Sequence, residues 1–569
     1  MALVRHHLAG AGGAAVRLAR EYAISLPPVS SALYKDSAVT LTSRATLNRQ
    51  SLGLGLLALL LFLAGVHQQA AIGFDSRFVL FAQEMLRHGP GFFPTTYGEP
   101  YPDYSAFSTV LVWLFALPFG TVNALAAWLP SALAAAWIVV LMYRLVAPHS
   151  PRWALLSIAL LLLSNTFITE TRAVSLDLLL AAVGFSVFYL GYTADHFAAP
   201  KRHGWILALL VLGFAIRGPI GLVIPTGMLC SYYLLGGQWR RLFVFGFQAL
   251  GLLAVCIALL LWLAWLDGGS VFLHEVIRMQ FTGRMDGSEG SSGLLYYFGS
   301  SFGNYALAYP LAVLGGVALF AGGRQQRGPA LQLMLYCLAA GLIVMLGLSV
   351  PQAKKARYIL PMAPMIAIVA AFAFQAGQGR LFAWLRGLIQ GLWLLLPALL
   401  IGGMILLHRR FPEELPTLGI APWLVGALQV IAVMMLFKTR WRAIGLAACA
   451  VLAMWASYIL VVEPVERTAY DTRTFTRAAQ QLIHQAPAPV VLHAMGKDAK
   501  AIKFMVNLDE DLQPLFTDTP QQLQAVSGPA WLVMDRQDYQ KLQGTPVGAL
   551  VPVLSGRFDK NDFVLLKQP

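Results

Sequence analysis

Polar and apolar positions in this chain separate into long blocks instead of alternating every two or four residues. Uninterrupted apolar runs recur from Leu52 to about Val462. Most are near 20 residues, long enough to cross roughly 30 Å of hydrocarbon as a helix. They fall near 52–72, 123–146, 153–171, 175–195, 204–216, 219–236, 242–266, 304–321, 329–350, 358–376, 388–407, 420–437 and 443–463, about thirteen predicted spans. Residues 103–119 are apolar too, but short and interrupted by Asp103 and Pro118. They read as one of two juxtamembrane helices within a loop at 75–119, with a second polar loop at 267–302. After Glu463 the pattern changes to mixed charge, a helix-like stretch at 474–484 and strand-like runs at 490–493, 530–533 and 563–566. That is the pattern of a small α/β domain. The expected fold class is an all-α polytopic membrane domain over 51–463, with a tail at 1–50 and a soluble α/β domain at 464–569.

Composition agrees. Of 569 residues 58% are hydrophobic and 12% charged, with mean hydropathy +0.65, and a soluble core could not hide that much apolar surface. The net charge of +14 raises the question of nucleic acid. The cations, however, sit in short loops between spans, where they set topology and touch anionic lipid, and no nucleic-acid recognition module is present. With the N-terminus inside, Arg144 with Arg152, Lys201 with Arg202, Arg240 with Arg241, Arg324 with Arg327, Arg380 with Arg386, and Lys438 with Arg440 and Arg442 all fall on the inner face. An odd span count then puts 464–569 outside, as in a multi-pass bacterial inner-membrane protein with a periplasmic domain. Cys230, Cys256, Cys337 and Cys449 lie within apolar segments and read as packing residues. Residues 1–50 are basic and hold no apolar core of signal-peptide type.

A few cations break the charge rule. Arg217, in Arg217-Gly218-Pro219-Ile220-Gly221, falls on the outer face beside the start of a following half-helix, where a cation and unsatisfied N–H groups make an anion site. Lys354, Lys355 and Arg357 precede a span on the same side, with snorkelling to lipid headgroups as the plainer reading. Acids accompany them. Asp75 follows the first span directly. Asp177 lies inside an apolar run, where an ionisable group is expensive and usually functional; pairing with Arg172 is the structural alternative. Glu84 and His88 stand at i, i+4 and could share a divalent metal ion on one helix face, although a solvated face is the commoner meaning of such a pair. No other cofactor follows from the sequence. Glu275, Arg278 and Arg284 in the second loop either order a substrate or pair with each other.

At these residues the chain resembles the membrane-embedded C-type glycosyltransferases, in particular the lipid A aminoarabinose transferases and their protein O-mannosyltransferase relatives. The resemblance rests on Phe74-Asp75-Ser76-Arg77-Phe78 with Gln83-Glu84-Met85-Leu86, Gly98-Glu99-Pro100-Tyr101, Thr171-Arg172 with Leu176-Asp177, Arg217 to Pro225, Tyr296-Tyr297, and Arg357-Tyr358-Ile359-Leu360-Pro361. These pieces run in family order over residues 52–375. Two places depart from the family: Asp75-Ser76 stands where Asp-Glu is usual, and Pro102-Asp103-Tyr104-Ser105 stands where a Glu-Lys-Pro-Pro element is usual. The missing lysine leaves sugar and acceptor open.

The resemblance implies a polyprenyl-phosphate-linked sugar donor and transfer with inversion on the outer leaflet, to lipid A, another envelope glycan or a protein. It implies Asp75 and Asp177 as catalytic carboxylates, Asp75 taking the acceptor proton and Asp177 positioning the acceptor or holding a cation. Arg217, Lys354, Lys355 and Arg357 would bind the donor phosphate. Arg77, Glu99, Tyr101, Asp103, Arg172, Glu275, Arg278 and Tyr358 would line the substrate site. Membrane lipids are the further partners expected, and a monomer. A transporter would predict repeat-related, broken spans near the bilayer midplane, and the sequence has no such repeat.

Overall fold

The computed structural model describes residues 41–103, 105–197, 199–283, 291–321, 328–376, 379–415, 417–508 and 510–569. The expectations for residues 1–40, Tyr104, Arg284, Arg324 and Arg327 lie outside these.

Among the described residues, nine helices are long and apolar enough to cross a membrane, or up to eleven if each of two sharply bent pairs is one span. The bent pairs are Pro151–Leu162 with Asn165–Thr171, at 73°, and Tyr296–Asn304 with Ala308–Leu319, at 114°. The predicted number, thirteen, differs in two places. Helix Ala421–Met435 is shorter than a full crossing by that measure, and the 33-residue stretch His203–Leu235, counted once in that number, is two helices joined at a kink. That stretch is not straight. Arg217 and Gly218 leave helical geometry, Gly218 at φ 59°, and a Cβ on Gly213 or Gly221 would overlap the other residue's carbonyl oxygen. Residues eight apart in a straight helix are about 12 Å apart. The stretch is therefore two arms folded back on each other at Arg217-Gly218, where positive φ requires glycine. Gly268 and Gly269 repeat the same pair of dihedrals inside Trp239–Ile277.

The first helix is described from Leu41, which moves the expected tail boundary back from residue 50. The peripheral helices turn Phe247, Val255, Leu399 and Leu406 outward, as a lipid-facing surface requires. All four cysteines are unbridged thiols, three of them buried. Lys201, Arg202, Arg240 and Arg241, assigned above to the inner face, line one cavity of about 460 Å³ at the His196 end of helix Leu176–His196. Asp177 lies in the first turn at the other end of that 21-residue helix, roughly 28 Å along its axis from His196.

The loop after the first span holds helices Asp75–His88 and Phe107–Ala116 with a two-residue hairpin between them, β1 (Thr95–Thr96) and β2 (Glu99–Pro100). Tyr97 and Gly98 both have positive φ, as a hairpin turn of the right twist needs. The last membrane helix runs on to Ala469, past the expected boundary. Helix Arg473–Gln485 follows, then a five-stranded sheet of β3 (Val490–His493), β4 (Leu515–Thr517), β5 (Ala530–Asp535), β6 (Leu554–Phe558) and β7 (Asn561–Gln568), in the order β4-β3-β5-β7-β6. β3 lies parallel to β4 and β5, while β7 is antiparallel to β5 and β6. Strands β4 and β6 carry too little apolar alternation to be legible beforehand. One apolar cluster joins Val79, Leu80 and Ala82 of helix Asp75–His88 to Phe504, Met505 and Leu508, so the sheet region packs on the helix that begins with Asp75.

Candidate active site

Four helix ends converge at one end of the helical domain, and each brings a charge. Asp75 opens helix Asp75–His88. Asp177 sits in the first turn of Leu176–His196, after the N-cap Ser175, whose hydroxyl accepts from the Leu178 N–H at 3.2 Å. A carboxylate is favoured there by the helix dipole. Arg217 stands at the fold-back described above. Arg357 lies in the 3-10 stretch Ala356–Met362, whose start is held by Tyr305 donating to the Ala356 carbonyl at 2.9 Å.

Asp177 is 2% exposed and lies between two guanidinium groups, with Arg217 Nε at 3.1 Å from Oδ1 and Arg357 Nε at 3.2 Å from Oδ2. Such burial costs several kcal/mol per ion unless it is paired, and the two cations supply the pairing. The alternative of an Asp177–Arg172 pair is thereby corrected. Arg172 instead grips Glu463 in a fork, at 2.6 and 2.8 Å, and donates to the carbonyls of Phe62 and Ala64. It ties the first span to the last and also borders the larger of the two cavities at this site.

Two cavities meet at this point. The first, about 440 Å³, is bordered by the carboxylates Asp75, Glu170, Glu463 and Glu466. The second, about 100 Å³, is bordered by Arg77, Arg217, Lys355, Asp103, Tyr297 and Tyr358. Phe74 and Arg357 border both, and the Arg357 guanidinium lies 4.2 Å from the Phe74 ring centroid. Arg217 stacks at 4.6 Å over Tyr358, and Arg77 lies 5.2 Å from both Phe74 and Tyr101. Aromatic faces of this kind hold a cation in place without consuming its N–H donors.

Asp75 Oδ1 accepts from the Val174 N–H at 3.1 Å. Burial, reinforced by the negative charge of Glu170, pushes its carboxyl up to about 7, against the lowering effects of that hydrogen bond and of Arg357. Glu170 in turn accepts a very short hydrogen bond from Ser175.

The remaining expectations divide. Lys354 donates to the Ser292 carbonyl at 3.0 Å and does not border the small cavity, whereas Lys355 does. Asp177 borders neither cavity, which fits the second of its two expected roles, holding a cation. Glu99 lies exposed on β2, and Glu275 and Arg278 are exposed, all three outside both cavities. Glu275 and Arg278 have Met279 for a neighbour in the small cavity. Tyr101 is buried against Phe81 and Arg77. Glu170, Glu463 and Glu466 were missed as site residues. Glu170 carries the signal that marked Asp177, an acid bordering an apolar run. Glu463 and Glu466 have no local signal, because at the end of the last span they read as a solvated boundary. At the far end of helix Asp75–His88, Glu84 and His88 come together with Asp511 of the sheet region.

A family model for dolichyl-phosphate-mannose-protein mannosyltransferase matches residues 106–265, a segment that holds Asp177 and Arg217 but neither Asp75 nor Arg357. No curated protein matches the chain significantly. Among solved structures, ArnT from Cupriavidus metallidurans in the apo state aligns at TM-score 0.69 and 17% identity, covering 92% of this chain and 98% of that one. The same protein bound to undecaprenyl phosphate aligns at TM-score 0.65 and 18% identity, covering 93% and 98%. At these identities the likeness is one of fold. The membrane-embedded C-type glycosyltransferase fold that the sequence resemblance implied is the fold of this chain, and its many apolar helices make it a multi-pass membrane protein.

Proposed function

We propose that this protein transfers a sugar from a polyprenyl-phosphate donor to lipid A or another envelope glycan, with inversion, on the periplasmic face of the inner membrane. The observation that carries this reading is the pair of cavities, one walled by carboxylates and one by cations, with Arg357 common to both. A transfer from a lipid phosphate has two charge problems at once. The acceptor hydroxyl must lose a proton as its oxygen bonds to the anomeric carbon. The bond from that carbon to the phosphate oxygen must break, leaving a negative lipid phosphate.

Asp75 answers the first. A carboxylate raised to about 7 is half ionised near neutral pH and basic enough to accept a proton in the transition state. Arg217, Lys355 and Arg357 answer the second, as fixed cations where charge develops. Asp177 is a positioning residue that holds Arg217 and Arg357 in place. The solved fold relative bound to undecaprenyl phosphate supports a lipid phosphate as donor carrier. The cation clusters at the opposite end of the helices support an outer placement of the site by the positive-inside rule. Residues 464–569 would then be a periplasmic domain over the site.

A protein acceptor is the second reading, favoured by the mannosyltransferase family model over residues 106–265. Mass spectrometry of lipid A and envelope glycans, with and without this gene, separates the two. Loss of a pentose- or hexose-sized mass on lipid A supports the first. Unchanged glycans with a lost protein glycoform support the second, and no change in either sinks the transferase reading.

A further inference from the structure

Helix Asp75–His88 carries a second polar cluster at the end opposite Asp75. Glu84 and His88 stand one turn apart, and Asp511 reaches them from the chain between β3 and β4. His88 Nε2 lies 3.0 Å from Asp511 Oδ2 and 4.0 Å from Glu84 Oε2, and the three ligand atoms all fall within 4.8 Å of one another. A histidine paired with an exposed aspartate would be ordinary. Glu84 is what makes the cluster unusual. Its side chain is fully buried and, among the described residues, neither carboxylate oxygen has a hydrogen-bond partner. Arg87 Nη1 is 3.9 Å away, beyond hydrogen-bond reach. A buried carboxylate left in that condition costs stability that a bound cation would restore.

We propose that Glu84, His88 and Asp511 bind one divalent transition-metal ion of the zinc or manganese type. One imidazole nitrogen and two carboxylate oxygens suit such ions, with water completing the coordination. Glu84 supplies a fixed, desolvated ligand, while His88 and Asp511 are partly exposed and leave an entry path. The ion joins two parts of the chain 423 residues apart in sequence. It reinforces neighbouring contacts across the same seam, Gln83 Nε2 to the Val506 carbonyl at 3.1 Å and Tyr97 hydroxyl to the Lys497 carbonyl at 2.8 Å. Glu84 lies nine residues along the helix from Asp75, about 14 Å. The ion therefore holds the sheet region onto the helix that presents Asp75 and does not touch the reacting atoms.

The test is metal content of the full chain, purified in detergent without a polyhistidine tag, stripped with chelator and dialysed against zinc or manganese chloride. One ion per chain is expected, with a rise in Tm on loading. His88→Ala and Asp511→Asn should each weaken binding at least about tenfold and abolish the rise in Tm. Both positions are partly exposed, and an unchanged apo Tm checks that the variants fold. No bound ion in the wild type overturns the proposal, and so does binding that both variants retain. Because the readout is metal content and Tm, it stands or falls separately from the transferase reading, which Asp75→Asn tests.

Discussion

The two cavities share a wall and little else. The larger is crowded with carboxylates, and besides the shared Arg357 its bordering cations, Arg172 and Arg467, are committed to Glu463 and to the Gln68 carbonyl. The smaller gathers Arg77, Arg217 and Lys355 around a single bordering acid, Asp103. A site that pooled these charges would neutralise them and lower every carboxyl toward its ordinary range. Separation lets burial and Glu170 raise Asp75 on one side, while the other side keeps a surplus of positive charge. Proton acceptance and phosphate stabilisation need opposite surroundings. Under the proposed function, Phe74 and Arg357 would keep the two apart.

The comparison breaks most sharply at Asp75. Asp75→Asn keeps the shape and removes the base, so transfer should fall about 10³-fold with the protein still folded and inserted. Retained activity in an in vitro transfer assay would remove Asp75 from the reaction. Arg217→Ala tests the other side. It should cost about 10²-fold, with donor KM and kcat affected more than acceptor KM, since Arg217 borders only the cationic cavity. Equal effects on donor and acceptor would make Arg217 a structural partner of Asp177. Lys355 is exposed and lies 5.7 Å from the Phe74 ring. Lys355→Ala should therefore cost about tenfold or less, again on the donor side, as expected for a solvent-screened charge.

Much of this division was legible in the sequence, for a physical reason. Asp177 and Arg217 are ionisable groups in apolar surroundings, and Arg357 is a cation that the expected topology puts on the outer face. Each departs from a strong local rule. The fold-back at Arg217-Gly218 was visible because Gly and Pro together end one helical arm and begin the next. What stayed hidden depends on distant pairing. The Arg172–Glu463 fork spans 291 residues, so nothing near Arg172 showed that its donors were taken. Glu463 and Glu466 look like boundary charges until the last helix is seen to end over Asp75. Asp511 likewise joins Glu84 and His88 only through the packing of the sheet region. The strands read beforehand, β3, β5 and β7, carry continuous apolar runs, and the two that were missed lie at the edges of the sheet.

The smallest expected effect is also the most diagnostic of the comparison, and it concerns pH. If Asp75 is the base, only its ionised form is active, so transfer should rise with pH through a midpoint near 7. Glu170 is the second cause of that elevation, after burial. Glu170→Gln removes its negative charge and keeps an acceptor for the Ser175 hydroxyl. The midpoint should then move down while staying above the ordinary aspartate range, because burial remains. On the acid limb the variant should outpace the wild type by less than about tenfold, the effect of less than one pK unit, and the two should converge at alkaline pH. Profiles of kcat/KM against pH read this directly. An unmoved midpoint would mean that Glu170 does not set the Asp75 equilibrium, so the carboxylate wall would not be what prepares the base. A profile with no acid limb at all would remove Asp75 as the group that takes the proton.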